Sequence, residues 1–320
     1  MTLTTQPYLF PQMNESLCQQ KPVNVSTIPQ RSPFRYPGGK TWFVPTFRNW
    51  LAQKPVKPSL LIEPFAGGGI ISLTALFESL VQKVVMVELD EDIAAVWETI
   101  MDGQAEWLAK RIIAFDLTRE TLKEELSKSN GELKERAFQT ILKNRTSHGG
   151  ILAGGSGFLK HGENGKGIRS RWYPQTLAKR FSSIHHIAGS IDFRQEDGLN
   201  ILQKYADRDD VVFFIDPPYT AGGKKAGKRL YRYSEIDHKH LFDLCASLAG
   251  DFLMTYDNAE EVKEMSRQHG FQMRLIPMTN THNREMEELV IGKDLSWMDS
   301  YPAVREPDVA FQYRQLPFIS

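Results

Sequence analysis

The residues with the clearest chemical potential are Asp216, Pro217, Pro218 and Tyr219, which directly follow the apolar run Val211–Ile215. Proline fixes φ and lacks a backbone N–H, so this turn presents carbonyl oxygens beside a carboxylate and an aromatic ring. These groups could accept both hydrogens of an exocyclic amino group while the ring that carries it stacks on Tyr219. The alternative is a structural turn, in which the prolines end the strand and Asp216 accepts local amides.

A glycine-rich turn, Glu-Pro-Phe-Ala-Gly-Gly-Gly, begins at Glu63 and ends at Gly69, where a strand is predicted to give way to a helix. Glycines let a ligand approach the backbone closely, and the start of a helix favours electronegative groups. The spacing differs from the GxGxxG dinucleotide fingerprint, which disfavours a nicotinamide-dependent oxidoreductase. A tight turn without a ligand is the alternative.

Two acidic residues, Glu88 and Asp90, end the next predicted strand. A carboxylate about twenty residues after the glycines of a nucleotide-binding sheet can accept both ribose hydroxyls, and we assign this role to Glu88. Asp90 is predicted to cap the helix that begins at Glu91, since aspartate is a favoured N-cap residue. Taken alone, this acidic pair could equally be a solvated strand end.

The segment Gly38-Gly39-Lys40, followed by Thr41, superficially resembles a phosphate-binding P-loop. A P-loop has four residues between its glycines and follows a strand, and neither condition holds here. We therefore disfavour nucleoside triphosphate hydrolysis and predict a loop on the cofactor side of the site.

Two basic stretches, 143–180 and 221–233, contain one acidic residue between them, Glu163. Such runs are often solvated faces. The alternative is that they bind nucleic-acid phosphates, while Tyr231 and Tyr233 stack on bases.

Composition excludes several classes of protein. The 39 Lys and Arg residues balance 39 Asp and Glu residues, so no global positive field would recruit a polyanion and any nucleic-acid contact must be local. Two cysteines cannot form a disulfide framework, and the eight scattered histidines predict no metal site. The apolar runs are of strand length, so we expect neither a membrane span nor a signal peptide.

The elements that must position these motifs alternate between strand and helix over 60–101 and again from 190 onward, which predicts a doubly wound parallel α/β sheet. Helical segments and a glycine-rich run interrupt this alternation, so a mainly helical domain is predicted to be inserted. The predicted divisions are a mobile arm, 1–30; a catalytic domain, 31–101 and 190–295; the insert, 102–189; and a C-terminal segment, 296–320. The predicted strands are Leu60–Phe65, Val84–Leu89, Ile191–Gln195, Val211–Ile215, Phe252–Tyr256, Gln272–Ile276 and Glu288–Ile291, and the helices are Ile70–Val81, Glu91–Met101, Leu199–Tyr205, His238–Leu248 and Glu260–His269.

With these motifs in this order, the chain resembles the alpha group of the Dam-type DNA adenine methyltransferases from about Pro33 to Lys293. The resemblance implies a Rossmann-like methyltransferase sheet, S-adenosylmethionine as cofactor, and 102–189 as the target-recognition domain. It implies that His238 begins a helix after the catalytic loop, and that 283–289 shapes the pocket for the target base. The family usually has Asp-x-Asn where this chain has Glu88-Leu89-Asp90.

Residue roles follow from the same resemblance. The cofactor-binding residues would be Tyr36, Gly39, Lys40, Glu63, Phe65, Gly67, Gly69, Glu88, Asp197 and Asp216. The catalytic residues would be Asp216, Pro217, Pro218 and Tyr219. The DNA-binding residues would be Asn144, Arg145, Lys160, Arg169, Arg171, Lys224, Lys225, Arg229, Tyr231 and Tyr233.

The implied activity is site-specific transfer of a methyl group to the exocyclic amino group of a flipped adenine in double-stranded DNA. The alternatives are methylation of the cytosine amino group, methylation of RNA, and a catalytically silent DNA-binding relative. We expect a monomer in the cytoplasm of a bacterium or in a phage-infected cell, associated with the nucleoid, and a cognate restriction endonuclease is a candidate partner.

Overall fold

A mixed sheet forms the centre of the protein in the computed structural model, which describes residues 22–35, 38–129, 131–152, 157–162, 165–218, 236–279 and 285–299. Its strands are β1 (Leu60–Glu63), β2 (Lys83–Val87), β3 (Ile191–Arg194), β4 (Val211–Ile215), β5 (Asp251–Asp257), β6 (Gln272–Thr279) and β7 (Glu285–Gly292). They lie in the order β3-β2-β1-β4-β5-β7-β6. Strands β1 to β5 are mutually parallel, and β7 pairs antiparallel with both β5 and the edge strand β6.

The strand order reverses between β1 and β4, so connections leave the sheet in opposite directions from this point. In open α/β sheets, ligands bind in the crevice that such a reversal creates at the carboxyl ends of the strands. Strand β4 is buried along its whole length, as expected for a central parallel strand covered on both faces. The doubly wound sheet predicted from sequence is confirmed.

Helices cover both faces of this sheet. They are α1 (Val44–Ala52), α2 (Ile70–Phe77), α3 (Glu91–Thr99), α4 (Ala105–Ala114), α5 (Arg119–Ser127), α6 (Leu133–Thr146), α7 (Pro174–His186), α8 (Gly198–Lys204), α9 (His238–Ser247) and α10 (Glu260–Gln268). A π-helical stretch, Ile100–Gln104, joins α3 to α4. No helix among the described residues is long and apolar enough to cross a membrane.

The predicted elements are confirmed with modest changes at their ends. Helix α2 stops at Phe77, because the chain turns through Ser79, whose φ is 52°. Strand β7 is longer than predicted. Its first residues are mostly polar, and the prediction left them out because core strands are usually apolar. Helix α1, which precedes the first strand, was not predicted.

The helical segment from α4 to α7 does not form a core of its own. Its buried side chains, such as Phe138 and Phe181, belong to the same apolar cluster as Phe214 of β4 and Phe43 of the short helix before α1. A second cluster on the other face of the sheet contains Phe213. The segment is therefore helical as predicted, but it extends one layer of the sheet domain.

Gly69 holds the glycine turn in shape, and its replacement by alanine tests this. The residue has φ of +62°, and an added Cβ would lie 2.4 Å from Met86 Cε and 3.0 Å from the Trp97 ring. Left-handed backbone costs a residue with a Cβ about 1 to 2 kcal/mol, so Gly69→Ala is expected to lower the free energy of unfolding by at least that amount. Urea unfolding measures it. Gly189→Ala, where a Cβ meets nothing within 4 Å, is the control and should change stability far less.

Candidate active site

Four predicted site residues meet at the carboxyl-terminal edge of the parallel strands. Glu63 ends β1, Glu88 follows β2, Asp197 follows β3, and Asp216 follows β4. Because parallel strands end at the same edge, residues far apart in sequence come together at the reversal point of the sheet. The four carboxylates therefore lie along one edge of the sheet.

The glycine turn between β1 and α2 is held by neighbouring strands and by α3. The Ala66 amide donates to the Val87 carbonyl at 2.8 Å, and the Trp97 indole N–H donates to the Gly67 carbonyl at 3.0 Å. The turn is tied to β2 and α3 and is therefore preorganised. Gly198 at the start of α8 also packs against it, since a Cβ there would lie 2.3 Å from the Pro64 carbonyl.

Glu63 is buried beneath this turn, with 3% of its surface exposed. Its carboxylate accepts the Ser72 backbone N–H at 3.0 Å and the Ser72 hydroxyl. Loss of hydration raises the pKa of Glu63 to about 8, the nearby charge of Asp216 acts in the same direction, and the Ser72 hydrogen bonds only partly oppose them. A cationic ligand beside Glu63 would favour the ionised form.

This raised pKa predicts a pH-dependent stability. Between the ordinary pKa of 4.5 and about 8, folded protein keeps a proton on Glu63 that unfolded protein releases. The stabilisation is complete below the unfolded pKa and is lost as the pH rises through the folded one. Glu63→Gln cannot titrate, so from about pH 5 to about pH 9 the wild-type Tm is expected to fall by roughly 5 °C more than that of the variant. Calorimetry across this range tests it.

The control for that measurement is Glu124→Gln, at an exposed position on α5. Its Tm should follow the wild-type curve. Parallel Tm curves for wild type and Glu63→Gln would show that Glu63 remains ionised in the folded protein.

Glu88 and Asp90 make different contacts, and the predicted helix-capping role of Asp90 is confirmed. The Asp90 carboxylate accepts the Asp92 N–H at 2.8 Å and caps α3. The half-buried Glu88 carboxylate accepts the N–H groups of Gly67 at 3.0 Å and Asp90 at 2.8 Å. Loss of hydration nevertheless raises the pKa of Glu88 to about 7. Glu88 thus joins the glycine turn to the end of β2, at the carboxyl-terminal edge of the parallel strands.

Asp197 caps α8, accepting the Leu199 N–H at 2.9 Å, and is exposed. Its position after β3 brings it to the same edge as Glu88, because the Glu88 N–H donates to the Arg194 carbonyl at 3.1 Å. An exposed carboxylate at this position can accept a hydrogen bond from a ligand.

Asp216 lies at the corner where β4 ends. Its Oδ1 accepts the Thr255 hydroxyl at 2.9 Å and lies 3.0 Å from Lys40 Nζ. Pro217 is buried and Pro218 is partly exposed, so the packing around Pro217 fixes the position of the turn. Tyr219 lies outside the described residues.

Lys40 joins the cofactor-side loop to this corner. The side chain is 3% exposed, and its ammonium donates to the Gly38 carbonyl at 3.1 Å. The same ammonium lies 3.3 Å from Glu288 Oε2. Gly39 is the N-cap residue of the short helix that begins at Lys40, and Tyr36 lies outside the described residues. The Lys40 side chain therefore lies beside Asp216, and the role of the loop toward a cofactor stays a prediction.

The predicted DNA contacts of Asn144 and Arg145 need correction. Asn144 is fully buried, and its amide bonds the backbone of Arg35 in both directions at 2.9 Å and the Gly150 carbonyl at 2.7 Å. Arg145 is 5% exposed and donates to the Pro33 carbonyl. Burial and nearby Arg180 lower the pKa of Arg145 to about 9. Both side chains hold the segment that leads into the Lys40 loop, and direct contact with DNA is not open to them in this arrangement.

The other predicted DNA-binding residues differ in what the structure says of them. Lys160 and Arg169 are exposed, although Arg169 also donates to the Leu117 carbonyl at 2.6 Å and pairs with Asp116 at 3.0 Å. Arg171 is partly exposed. The predicted basic loop residues lie outside the described residues: Lys224, Lys225, Arg229, Tyr231 and Tyr233.

His238 begins α9, as expected, and its Nδ1 lies 2.5 Å from the Tyr256 hydroxyl. Burial lowers the pKa of this imidazole. The helix is capped by Asp237, whose carboxylate accepts the His240 N–H. His238 therefore has a structural position at the end of β5.

Thr255 and Glu288 contact Asp216 and Lys40 respectively; Thr255 was not predicted, and Glu288 was predicted only as part of the segment 283–289. The available signal was Thr255 within the apolar part of β5 and Glu288 directly before the apolar run Leu289–Ile291 of β7, because buried polar side chains normally have a partner. The described residues contain no group of three or more His, Cys, Asp or Glu side chains that could hold a metal ion. The edge instead suits a ligand with hydroxyl and amino donors and positive charge.

Comparison with known proteins adds a family assignment. A sequence model of the D12 class N6 adenine-specific DNA methyltransferases matches residues 36–277. No curated protein matches the chain.

Solved structures with partial similarity include three methyltransferases. The rRNA methyltransferase aviRa from Streptomyces viridochromogenes is 14% identical, and the match covers 90% of this chain and 100% of that chain with a TM-score of 0.37. The putative RNA methyltransferase PH1948 from Pyrococcus horikoshii is 11% identical, with coverages of 81% and 84% and a TM-score of 0.36. The putative methyltransferase yhhF from Escherichia coli is 13% identical, with coverages of 78% and 85% and a TM-score of 0.32.

The assignment rests on the family match, which spans more than half of the chain and includes both the glycine turn and the Asp216 corner. The chain belongs to the D12 class of N6 adenine-specific DNA methyltransferases.

Proposed function

We propose that Asp216 and Pro217 hold the exocyclic amino group of an adenine that has turned out of double-stranded DNA at a defined sequence, and that S-adenosylmethionine donates the methyl group. The observation that carries this proposal is the corner at the end of β4. There a carboxylate and a proline carbonyl lie beside a loop and a glycine turn suited to a cofactor.

The amino group of adenine is a weak nucleophile because its lone pair is delocalised into the ring. Hydrogen bonds from its two hydrogens to the Asp216 carboxylate and the Pro217 carbonyl would localise the lone pair and orient it. Thr255 and Lys40 both contact Asp216 Oδ1 and would fix the carboxylate for this purpose. Positioning and electrostatics of this kind supply most of the acceleration when the donor already carries a good leaving group.

The acidic edge fits S-adenosylmethionine by the chemistry of its donor set. This cofactor supplies a methyl group on positively charged sulfur, and it carries an ammonium group, two ribose hydroxyls and an adenine amino group. Glu63, Glu88 and Asp197 would accept hydrogen bonds from these donors. Glu63 would accept near the amino-acid end, Glu88 from the ribose and Asp197 near the adenine. Phe65, Gly67 and Gly69 would line the turn around the amino-acid end.

Access to the target nitrogen requires the base to leave the duplex stack, at a cost of a few kcal/mol. We assign Tyr219 to stacking on the extruded base and the loop containing Lys224, Lys225 and Arg229 to the phosphates. Lys160, Arg169 and Arg171 would add contacts from the helical segment 102–189, which we propose as the target-recognition region. Asn144 and Arg145 would serve this region by holding the segment before Lys40.

Transfer of label from S-adenosylmethionine tests the proposed function. Purified protein is incubated with labelled cofactor and either duplex DNA or RNA, and the products are digested to nucleosides. Label in N6-methyladenine from duplex DNA, at a single sequence context, is the expected result. Label in methylated cytosine, in RNA, or in no nucleic acid of any sequence would contradict it.

A further inference from the structure

Glu288 is a buried acidic residue in an edge hairpin. It lies on β7 with 8% of its surface exposed, directly after the exposed Glu287 and directly before the buried run Leu289–Ile291. Burying a carboxylate is unfavourable unless a charged or hydrogen-bonding partner compensates. Its partner is the Lys40 ammonium, 3.3 Å away, and Lys40 is itself 3% exposed.

The strand register brings Glu288 to the catalytic corner. Glu288 lies opposite Asp257 in the register of β7 with β5. Thr255 lies two residues earlier on the same face of β5. Thr255 donates to Asp216, and Asp216 lies 3.0 Å from Lys40. The Lys40 ammonium is therefore shared by two carboxylates, one at the end of β4 and one from the hairpin.

This sharing has an electrostatic consequence. If Asp216 were the only carboxylate beside Lys40, the two groups would form a strong ion pair, because charges attract strongly where water is excluded. With Glu288 present, Lys40 is held from two sides and also donates to Gly38 at 3.1 Å. The interaction between Lys40 and Asp216 is then weaker, and Asp216 can accept hydrogen bonds from other donors more readily.

We propose that Glu288 is a positioning residue for methyl transfer. It holds the Lys40 ammonium away from full pairing with Asp216, so that Asp216 can accept hydrogens from the substrate amino group. This inference rests on the proposed function, because it assigns Asp216 to that amino group. Glu288 acts through Lys40 and does not itself contact the reacting atoms.

The test is a double-mutant cycle on the full chain with Glu288→Gln and Lys40→Met. We measure the single-turnover rate of adenine methylation at saturating cofactor, the cofactor Kd, and the Tm. In the wild-type background, Glu288→Gln is expected to lower the rate about 10- to 50-fold, while the Kd changes less than about threefold. In the Lys40→Met background the same change should alter the rate less than about threefold, because the residue through which it acts is gone.

The control is Glu264→Gln, an exposed acidic residue on α10 that lies outside the proposed site and outside the segment 283–289. Its rate should equal that of wild type. Glu288→Asp keeps the negative charge on a shorter side chain and is expected to lie between wild type and Glu288→Gln. If Glu288→Gln does not fold, the methylation rate of Glu288→Asp tests the proposal in its place.

The outcomes separate the two proposals. A wild-type protein that methylates adenine, combined with equal losses for Glu288→Gln in both backgrounds or with no loss in either, overturns the role of Glu288 alone. A loss confined to cofactor affinity also overturns it, since that result indicates a binding role. A wild-type protein that methylates no DNA overturns the proposed function and this inference together.

Discussion

Asp216→Asn is expected to reduce the single-turnover rate of methyl transfer by roughly three orders of magnitude, with little change in cofactor affinity. The asparagine has nearly the same shape, but it is neutral and replaces one acceptor oxygen with a donor NH₂ group. It can no longer accept the amino hydrogen with a full negative charge, and its NH₂ group could be directed at the hydrogens it should bind. Lys40 retains Glu288 as a partner, so the corner is expected to stay folded.

Rapid-quench measurement with labelled cofactor and duplex DNA gives this rate, and equilibrium binding gives the cofactor Kd. Asp210→Asn is the control, because Asp210 precedes the same strand at its opposite end and pairs with Arg208 on the surface. It should leave both quantities unchanged. If Asp216→Asn weakened cofactor binding as much as it slowed transfer, Asp216 would be a cofactor ligand and not the group that orients the substrate.

Glu88→Gln is expected to weaken S-adenosylmethionine binding roughly 10- to 100-fold, since hydrogen bonds to charged groups contribute about 1.5 to 3 kcal/mol each. A carboxylate can accept both ribose hydroxyls, whereas the glutamine side chain offers one acceptor oxygen and an NH₂ group. The variant would also weaken the bond from the Gly67 N–H, which ties the glycine turn to β2. The transfer rate at saturating cofactor should fall much less than the affinity.

Isothermal titration at about pH 8, above the raised pKa of Glu88, measures this effect with the carboxylate ionised. Glu196→Gln serves as control, because Glu196 lies near Asp197 at the same edge but pairs with Arg194. Unchanged affinity in Glu88→Gln would remove Glu88 from the cofactor site. It would leave that residue with its observed structural role in the turn.

Much of the site was predictable because its chemistry lies in local motifs at strand ends. Buried strands reveal themselves as apolar runs, and parallel strands present their carboxyl ends at one edge. Glu63, Glu88 and Asp216 could therefore be identified from the ends of predicted strands, whereas Asp197 was identified by resemblance to the family. Asp90 could be assigned to the α3 cap, because capping depends on residues two or three positions apart.

The burial of Asn144 and Arg145 was not predictable in the same way. A run of positive charge indicates a surface, and Asn144 and Arg145 were placed there on that ground and by resemblance. Their burial depends on how α6 packs against the segment 33–35, which is more than a hundred residues away in sequence. Local composition does not record such a contact.

The sequence by itself determined the doubly wound sheet, the glycine turn and the carboxylate at the end of β4, since each depends on periodicity or on neighbouring residues. Only the tertiary structure decided that Thr255 and Glu288 reach Asp216 and Lys40. Those contacts depend on the register of β5 with β7 and on the packing of the Lys40 loop over the sheet. Side chains from four separate segments meet there through long-range packing, and no local pattern encodes their distances.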